Sequence, residues 1–319
     1  TQSTNTFWYR ADQLVDVYSD GDAVTTWTNQ GGINKHAYHN SNHKRPLLFT
    51  SGAHTINGYQ ALSFNGSNDF LTIANNSSMN VGGSWTTRTI SMVFRSGPDI
   101  QSRQFLFEEG GGVRGLNMYI YQGNLYFGAW NKAQSHWGFF YVATPIDANE
   151  EYIANLVFAG TDGETGTVEC YLNEQHVGTM NNVGRLHAHS GNNRIGCSGN
   201  SHVETGSIGS GYYFQGDIAE FVVHDYQLNS AERIVLNNYF SAKYAIALDD
   251  NDNFPDDDSG SGNFDHELAG FGSTDANNAM DDAQGNGIVR MLNSEDLNEG
   301  EFGLWAHNGQ TNNQHQPTI

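Results

Sequence analysis

The stretch FLFEEGGG, residues 105 to 112, sets two adjacent glutamates, Glu108 and Glu109, between an apolar run and three glycines. Paired carboxylates suggest glycoside hydrolysis, which needs the two groups on either side of one bond, about 5–5.5 Å apart for retention or about 6.5–9.5 Å for inversion. An extended chain sends neighbouring side chains to opposite faces, so this pair cannot address a single bond. One glutamate is expected toward the core-lining side, held by backbone or by an arginine such as Arg103 or Arg114, and the other at the rim. Glu109 is the one expected to touch a ligand, because the glycines that follow let a ligand approach the backbone. No Ser-His-Asp string, Gly-rich phosphate loop or zinc motif occurs elsewhere. No catalytic residue is assigned, and the reading is of a protein that is not an enzyme.

The same neighbourhood could hold a polar ligand. Tyr119, Tyr121, Tyr126 and Trp130 fall on or near one face, and WNKAQSHWGFF adds Asn131, His136 and Trp137 just beyond. Aromatic rings offer flat apolar surfaces to the C–H faces of sugars, while Asn, His and Glu bond hydroxyls in the ring plane. The competing reading is that the rings cover an outer sheet face under loops.

Among metals, calcium suits the donors best. Asp69 in GSNDF and Asp217 in GDIAE flank strand ends, where backbone carbonyls could complete a shell of oxygens. The alternative is carboxylates bonded to turn amides. His187 and His189 in RLHAHSG share a strand face but lack a third ligand, so they read as a surface or hydrogen-bonded pair. His36, His39 and His43 read as a polar loop. Cys170 and Cys197 either form one bridge or remain two small buried hydrophobes.

The elements carrying these residues are strands. From residue 7 to about 225, short alternating runs are separated by Gly, Asn and Asp clusters, the pattern of a sandwich. GLNMYIYQGNLYFGAW, residues 115 to 130, is a hairpin with Leu116, Met118 and Ile120 on one face, Asn117, Tyr119 and Tyr121 on the other, and a turn at QGN. Further strands are expected at Ala61–Phe64, Thr89–Arg95, Tyr152–Phe158, Val168–Leu172, His176–Met180 and Ile218–His224. One helix breaks the habit: Asn229 and Glu232 make a capping box, and Val235, Tyr239, Ala242 and Ile246 recur at helical spacing. It is expected to pack on an edge or close one end of the sandwich. Beyond residue 247 comes an acidic, Gly/Ser-rich segment. It fails the EF-hand pattern at Phe254 and Gly260, so it reads as a solvated linker. Strand signals return at Leu268–Gly272, Ile288–Leu292 and Gly303–Ala306.

The composition narrows the partners. With 14 Lys+Arg against 35 Asp+Glu the formal charge is -21, a field that repels phosphate backbones and anionic membranes. Nucleic acid is excluded as a partner, and no apolar run reaches the length of a membrane helix, so membrane insertion is not expected. The start, TQSTNTFWYRADQ, lacks the basic and apolar regions of a signal peptide, so secretion rests on other grounds.

Several ordered strings carry a family resemblance. FWYRADQ, ALSFNGSNDFL at 61 to 71, FLFEEGGGVRGLNMYIYQGNLYFGAWN and GDIAEFVVHDYQLNSAERIVLNNYFSAKYAI at 216 to 246 resemble the laminin-G-like branch of the concanavalin A-like lectin/glucanase superfamily, as found in secreted bacterial surface proteins. The resemblance implies a two-sheet antiparallel jelly roll, an extracellular or cell-surface location, often one calcium ion, and a binding or adhesive role. Catalytic members of that superfamily carry E-x-D-x-x-E on one strand face, which FEEGGG lacks. HELAGFGSTDANNAMDDAQ and FGLWAHNG resemble an uncharacterised β-domain that follows such modules in large surface proteins of gliding and marine bacteria, many of which use the type IX route. The expected organisation is a laminin-G-like sandwich over 1–248, an acidic linker over 249–263 and an incomplete β-domain over 264–319. The expected function is noncatalytic recognition of a glycan or another cell-surface ligand. The rivals are a self-associating subunit of a filament or surface layer and an accessory or catalytic part of a polysaccharide-degrading enzyme.

Overall fold

The computed structural model describes residues 6–133, 137–191, 193–254, 266–284, 289–292, 294 and 297–307. The chain forms two compact units that divide between Leu228 and Asn229. The division falls before the helix, whereas the sequence places it at residue 248.

The first unit is an all-β jelly-roll sandwich of two eight-stranded antiparallel sheets. One sheet runs, in spatial order, Gln175–Val183, Gly166–Leu172, Glu151–Ala159, Thr87–Ser96, Gln215–His224, Ala61–Asn65 and Leu47–Phe49, with Thr6–Arg10 also paired to Gln215–His224. The other runs Gly138–Pro145, Asn124–Asn131, Arg114–Tyr121, Gln104–Gly110, Asn193–Ile195, Leu71–Ile73, Ala37–Tyr38 and Thr26–Trp27.

Alternation sets what lies inside. Leu116, Met118 and Ile120 face inward beside Leu125, Phe127 and Ala129 of the partner strand, all fully buried in one cluster with Phe94, Phe158 and Phe221 of the opposite sheet. Each such side chain contributes roughly 1.5–3 kcal/mol by leaving water. The hairpin register pairs Tyr121 with Asn124, leaving a two-residue loop. Gln122 (φ 49°) and Gly123 (φ 74°) are both left-handed there, as the twist of a two-residue hairpin demands.

In the second unit, α1 (Ser230–Tyr244) starts with the capping box read from sequence: Glu232 N–H donates to Asn229 Oδ1 at 3.0 Å and Asn229 N–H to Glu232 Oε2 at 2.9 Å. It stops at Ala245, which turns left-handed (φ 52°), so Ile246 lies just past the helix. α1 packs on His266–Asp275, which pairs with Asn278–Met280 and Phe302–His307. The start of the acidic segment is not a free linker, because the Asn238 side chain donates to Asn251 O and accepts from Asn253 N–H. Residues 255–263 of that segment, and Ile288, lie outside the described residues. Among the described residues no helix is long and apolar enough to cross a membrane.

Candidate binding site

The two glutamates point opposite ways. Glu109 pairs in register with inward-facing Leu116, and Glu108 with Asn117 on the outer face. Both are buried, however. Burial opposes the charge on Glu109, but Arg88 on the opposite sheet, bonded through Nη1, outweighs it and holds the carboxyl below its usual range. His189 Nε2 lies 3.5 Å from the same oxygen and adds to that effect. Expected as the ligand contact, Glu109 is instead an internal counter-ion. Glu108 accepts from Gly199 N–H at 2.6 Å and lies opposite Arg194 in register. Burial pushes its carboxyl up to about 7, against the bonds from Gly199 and the charge of Arg194. The arginines named from sequence do other work: Arg103 pairs with Glu204, and Arg114 Nη1 donates to Ala188 O at 2.6 Å.

The aromatic face is real, but its ring faces are occupied. Phe105 and Tyr119 stack at 4.8 Å with planes 12° apart, and Tyr119 and Tyr126 at 4.9 Å with planes 8° apart. Rings stacked side by side across neighbouring strands spend their faces on each other and have none for a sugar. A second hairpin, Ser198–His202 with Ile208–Gly211, then covers this face. Asn117 Nδ2 donates to Ser201 Oγ and His202 O, both at 2.8 Å, and Tyr119 Oη donates to Glu204 at 3.0 Å. Tyr119 and Trp130 are therefore buried, not presented; Asn131 is buried as well, and Trp137 lies in the core between the sheets. Tyr121 and Tyr126 are half-buried, with Arg103 over the Tyr121 ring at 3.8 Å. His136 lies outside the described residues.

An open groove lies instead just past the glutamates. It has a volume of about 600 Å³, within the roughly 300–1,000 Å³ typical of ligand pockets. One wall is the turn Gly111–Gly112–Val113–Arg114, the other Ala188–His189–Ser190–Gly191, with Val81, Gly82 and Asn200 between them. Both walls are fixed by polar groups, all but Asn75 buried. Trp130 Nε1 donates to Gly111 O at 2.9 Å, and His202 Nε2 lies 2.9 Å from Gly112 O. Asn80 Nδ2 donates to Gly191 O at 2.7 Å, and Asn75 Nδ2 to Ser190 O at 3.0 Å. A Cβ on Gly111 would meet only Gly191 Cα, at 4.0 Å, so this glycine keeps the space between the walls open. Val81 and Val113 are exposed at the rim. His189 has a side chain only 7% exposed, its Nε2 facing Glu109 and its Nδ1 buried without a hydrogen-bond partner.

The groove draws on four segments spread from residue 81 to residue 200. The three glycines were the available signal for one wall. Asn200, Ser190 and Val81 carried none, because a polar loop reads alike whether or not it lines a site.

The remaining candidates disperse. Asp69 Oδ2 accepts from Asn65 N–H at 3.1 Å, the turn-amide reading, and burial pushes its carboxyl up to about 6. Asp217 is bound by His54 Nδ1 at 2.9 Å and Arg95 Nη1 at 3.2 Å; burial raises its pKa, while these partners lower it. A carboxylate already met by an arginine is poorly placed for a hard cation, and the two aspartates answer to different neighbours. The donor sets do not fit calcium. Among the described residues no three His, Cys, Asp or Glu side chains converge as a metal site. Ser63 Oγ also reaches His54 Nδ1, at 3.2 Å. Serine and aspartate thus meet the same ring nitrogen, so no proton relay from serine through histidine to aspartate exists there. His187 and His189 do not form a pair: His189 meets Glu109, whereas burial lowers the pKa of His187. His36 Nδ1 accepts from Asn29 N–H, and His39 Nδ1 from Ser41 N–H, as loop residues. Cys170 and Cys197 are free and buried.

No protein-family model matches the chain, and no curated protein matches it. Solved structures do. The botulinum neurotoxin serotype D binding domain aligns with a TM-score of 0.50 at 8% identity, covering 75% of this chain and 53% of that one. The binding domain of Paraclostridial Mosquitocidal Protein 1 aligns with a TM-score of 0.51 at 13% identity, covering 70% and 52%. The chain spans about half the length of the structures it matches. At such identities the likeness is one of fold.

Proposed function

We propose that this protein is a noncatalytic, extracellular glycan-recognition module of the laminin-G-like kind, and that the groove between residues 111–114 and 188–191 is its binding site. The observation that carries the reading is the lining of that groove. Its walls are glycine backbone and short polar side chains held rigid from behind, with aliphatic groups at the rim and no carboxylate. A sugar presents hydroxyls to such walls and a C–H face to Val81 and Val113, and walls already ordered cost little entropy on binding. Hydrolysis needs two carboxyls across one bond. Here Glu109 sits behind His189, neutralised by Arg88, and Glu108 lies under the covering hairpin. The fold shared with domains whose names describe them as binding domains supports the same direction.

The test is a glycan array probed with the full chain and with Gly111→Phe. That substitution fills the groove without demanding a left-handed backbone, since Gly111 is not among the positive-φ residues. Glycan binding by the parent chain, lost in Gly111→Phe with unchanged circular dichroism, is the expected result. Binding that survives the filled groove would place the site elsewhere.

A further inference from the structure

The charge around the groove runs against the charge of the chain. A molecule with 35 Asp+Glu and 14 Lys+Arg lines this groove with Arg114 and His189 and with no acidic side chain. Glu109, the nearest acid behind it, is already met by Arg88. The surroundings are basic as well. Lys132 is exposed and its backbone N–H donates to Val113 O at 2.8 Å, which puts it beside the groove rim. His187 feels the charges of both Arg114 and Arg185, with Asp162, the acid nearby, paired to Arg185. His202, bonded to Gly112 O, feels Lys132. A local positive potential on a strongly negative molecule focuses anions at that one place and repels them from the rest of the surface.

From this charge complementarity we infer that the groove selects an acidic sugar, one carrying a carboxylate or a sulfate, and seats its anion on Arg114 beside His189. The inference rests on the proposed glycan-binding reading and names the ligand class for the same site. Arg114 has a built mounting for the task. Nη1 is tied to Ala188 O, so the guanidinium bridges the two walls in a fixed orientation. A guanidinium held in one orientation recognises a planar or tetrahedral oxyanion through charge-assisted bonds. Gly111, whose Cβ would meet only Gly191 Cα at 4.0 Å, leaves the space beside it open.

The experiment measures the affinity of the full chain for oligosaccharides built as matched pairs: uronic acid oligomers against their methyl esters, and sulfated galactans against their desulfated parents. The acidic member of at least one pair is expected to bind about tenfold more tightly than its neutral partner, the scale of one charge-assisted bond. The preference is expected to shrink as salt rises from about 0.01 M to about 1 M, because screening shortens from roughly 30 Å to roughly 3 Å. Whether the uronic or the sulfated pair responds tells carboxylate from sulfate. Arg114→Gln is expected to abolish the preference. Lys132→Gln, at an exposed position where folding is not at stake, is expected to reduce it about twofold to threefold. Acidic and neutral members bound alike, or a preference that survives both substitutions, overturns the inference and leaves the glycan-binding proposal standing. No binding of any member overturns both.

Discussion

Replacing Glu109 by glutamine tests whether the buried carboxylate is a structural counter-ion. The side chains of Arg88 and Glu109 are 1% and 0% exposed, so Glu109→Gln strands a guanidinium charge with little water to take up the loss. Removing one partner of a buried pair costs about 3–5 kcal/mol. With a urea slope of about 2–3 kcal/mol per molar, that lowers the unfolding midpoint by roughly 1–2.5 M. Tryptophan fluorescence is the natural probe, since Trp8, Trp27, Trp85, Trp130 and Trp137 precede the division at Leu228 and only Trp305 follows it. The double variant Arg88→Met with Glu109→Gln removes the stranded charge and is expected to recover at least half of the loss, giving a coupling energy of about 2 kcal/mol or more. A Glu109→Gln midpoint within about 0.3 M of the parent would refute the argument. So would a double variant as unstable as the two single losses added together, because either result means the carboxylate was never confined with its arginine.

Glu108 makes the opposite pH prediction from Glu109. Its folded pKa of about 7 stands above its ordinary 4.5, so its contribution to stability is full below about 4.5 and is lost as pH rises through about 7; the loss is about 3 kcal/mol. Comparing urea midpoints of the parent and Glu108→Gln at pH 5 and pH 8 reads that difference, and parallel profiles would count against it. Glu109, whose pKa is depressed, contributes above the ordinary carboxylate range and loses that contribution as pH falls through its folded value. The stability difference between the parent and Glu109→Gln is therefore expected to shrink as pH falls. Asn229→Ala removes the helix cap and the bond from Asn229 Nδ2 to Ala279 O, which is expected to cost about 1–2 kcal/mol in the second unit. The Trp305 signal in a chain whose other tryptophans are replaced by phenylalanine would register it. Both cysteines are free and buried, and burial pushes the Cys197 thiol up to about 12. Thiol reagent should react slowly with the native chain and count two thiols in denaturant without reductant; a count of zero there would mean a bridge.

The sandwich was legible because its strands alternate in a way only a half-buried sheet requires. Leu116, Met118 and Ile120 inside and Asn117 and Tyr119 outside follow from period alone. The capping box of α1 was legible because its two bonds are local. What lies over the outer face was not. SGNSHVETGSIGSG has the composition of a loose loop, and nothing in it announces that Glu108, Asn117 and Tyr119 will bind it down as a hairpin. That cover turned Tyr119 and Trp130 into interior residues, Trp137 went into the core between the sheets, and Tyr119 and Tyr126 stack face to face. Opposite orientation of Glu108 and Glu109 was derivable, but their partners were not, since Arg88 arrives from the other sheet and Arg194 from a strand far along the chain.

The tyrosine stack also gives the molecule an optical signature. Two phenol rings held 4.9 Å apart and 8° from parallel sit in a fixed chiral setting, and so contribute near-ultraviolet dichroism that freely rotating phenols lack. Lifting the hairpin that clamps Tyr119 would erase that signal while leaving the far-ultraviolet sheet spectrum intact, so loosening of one surface segment can be watched without attaching any label.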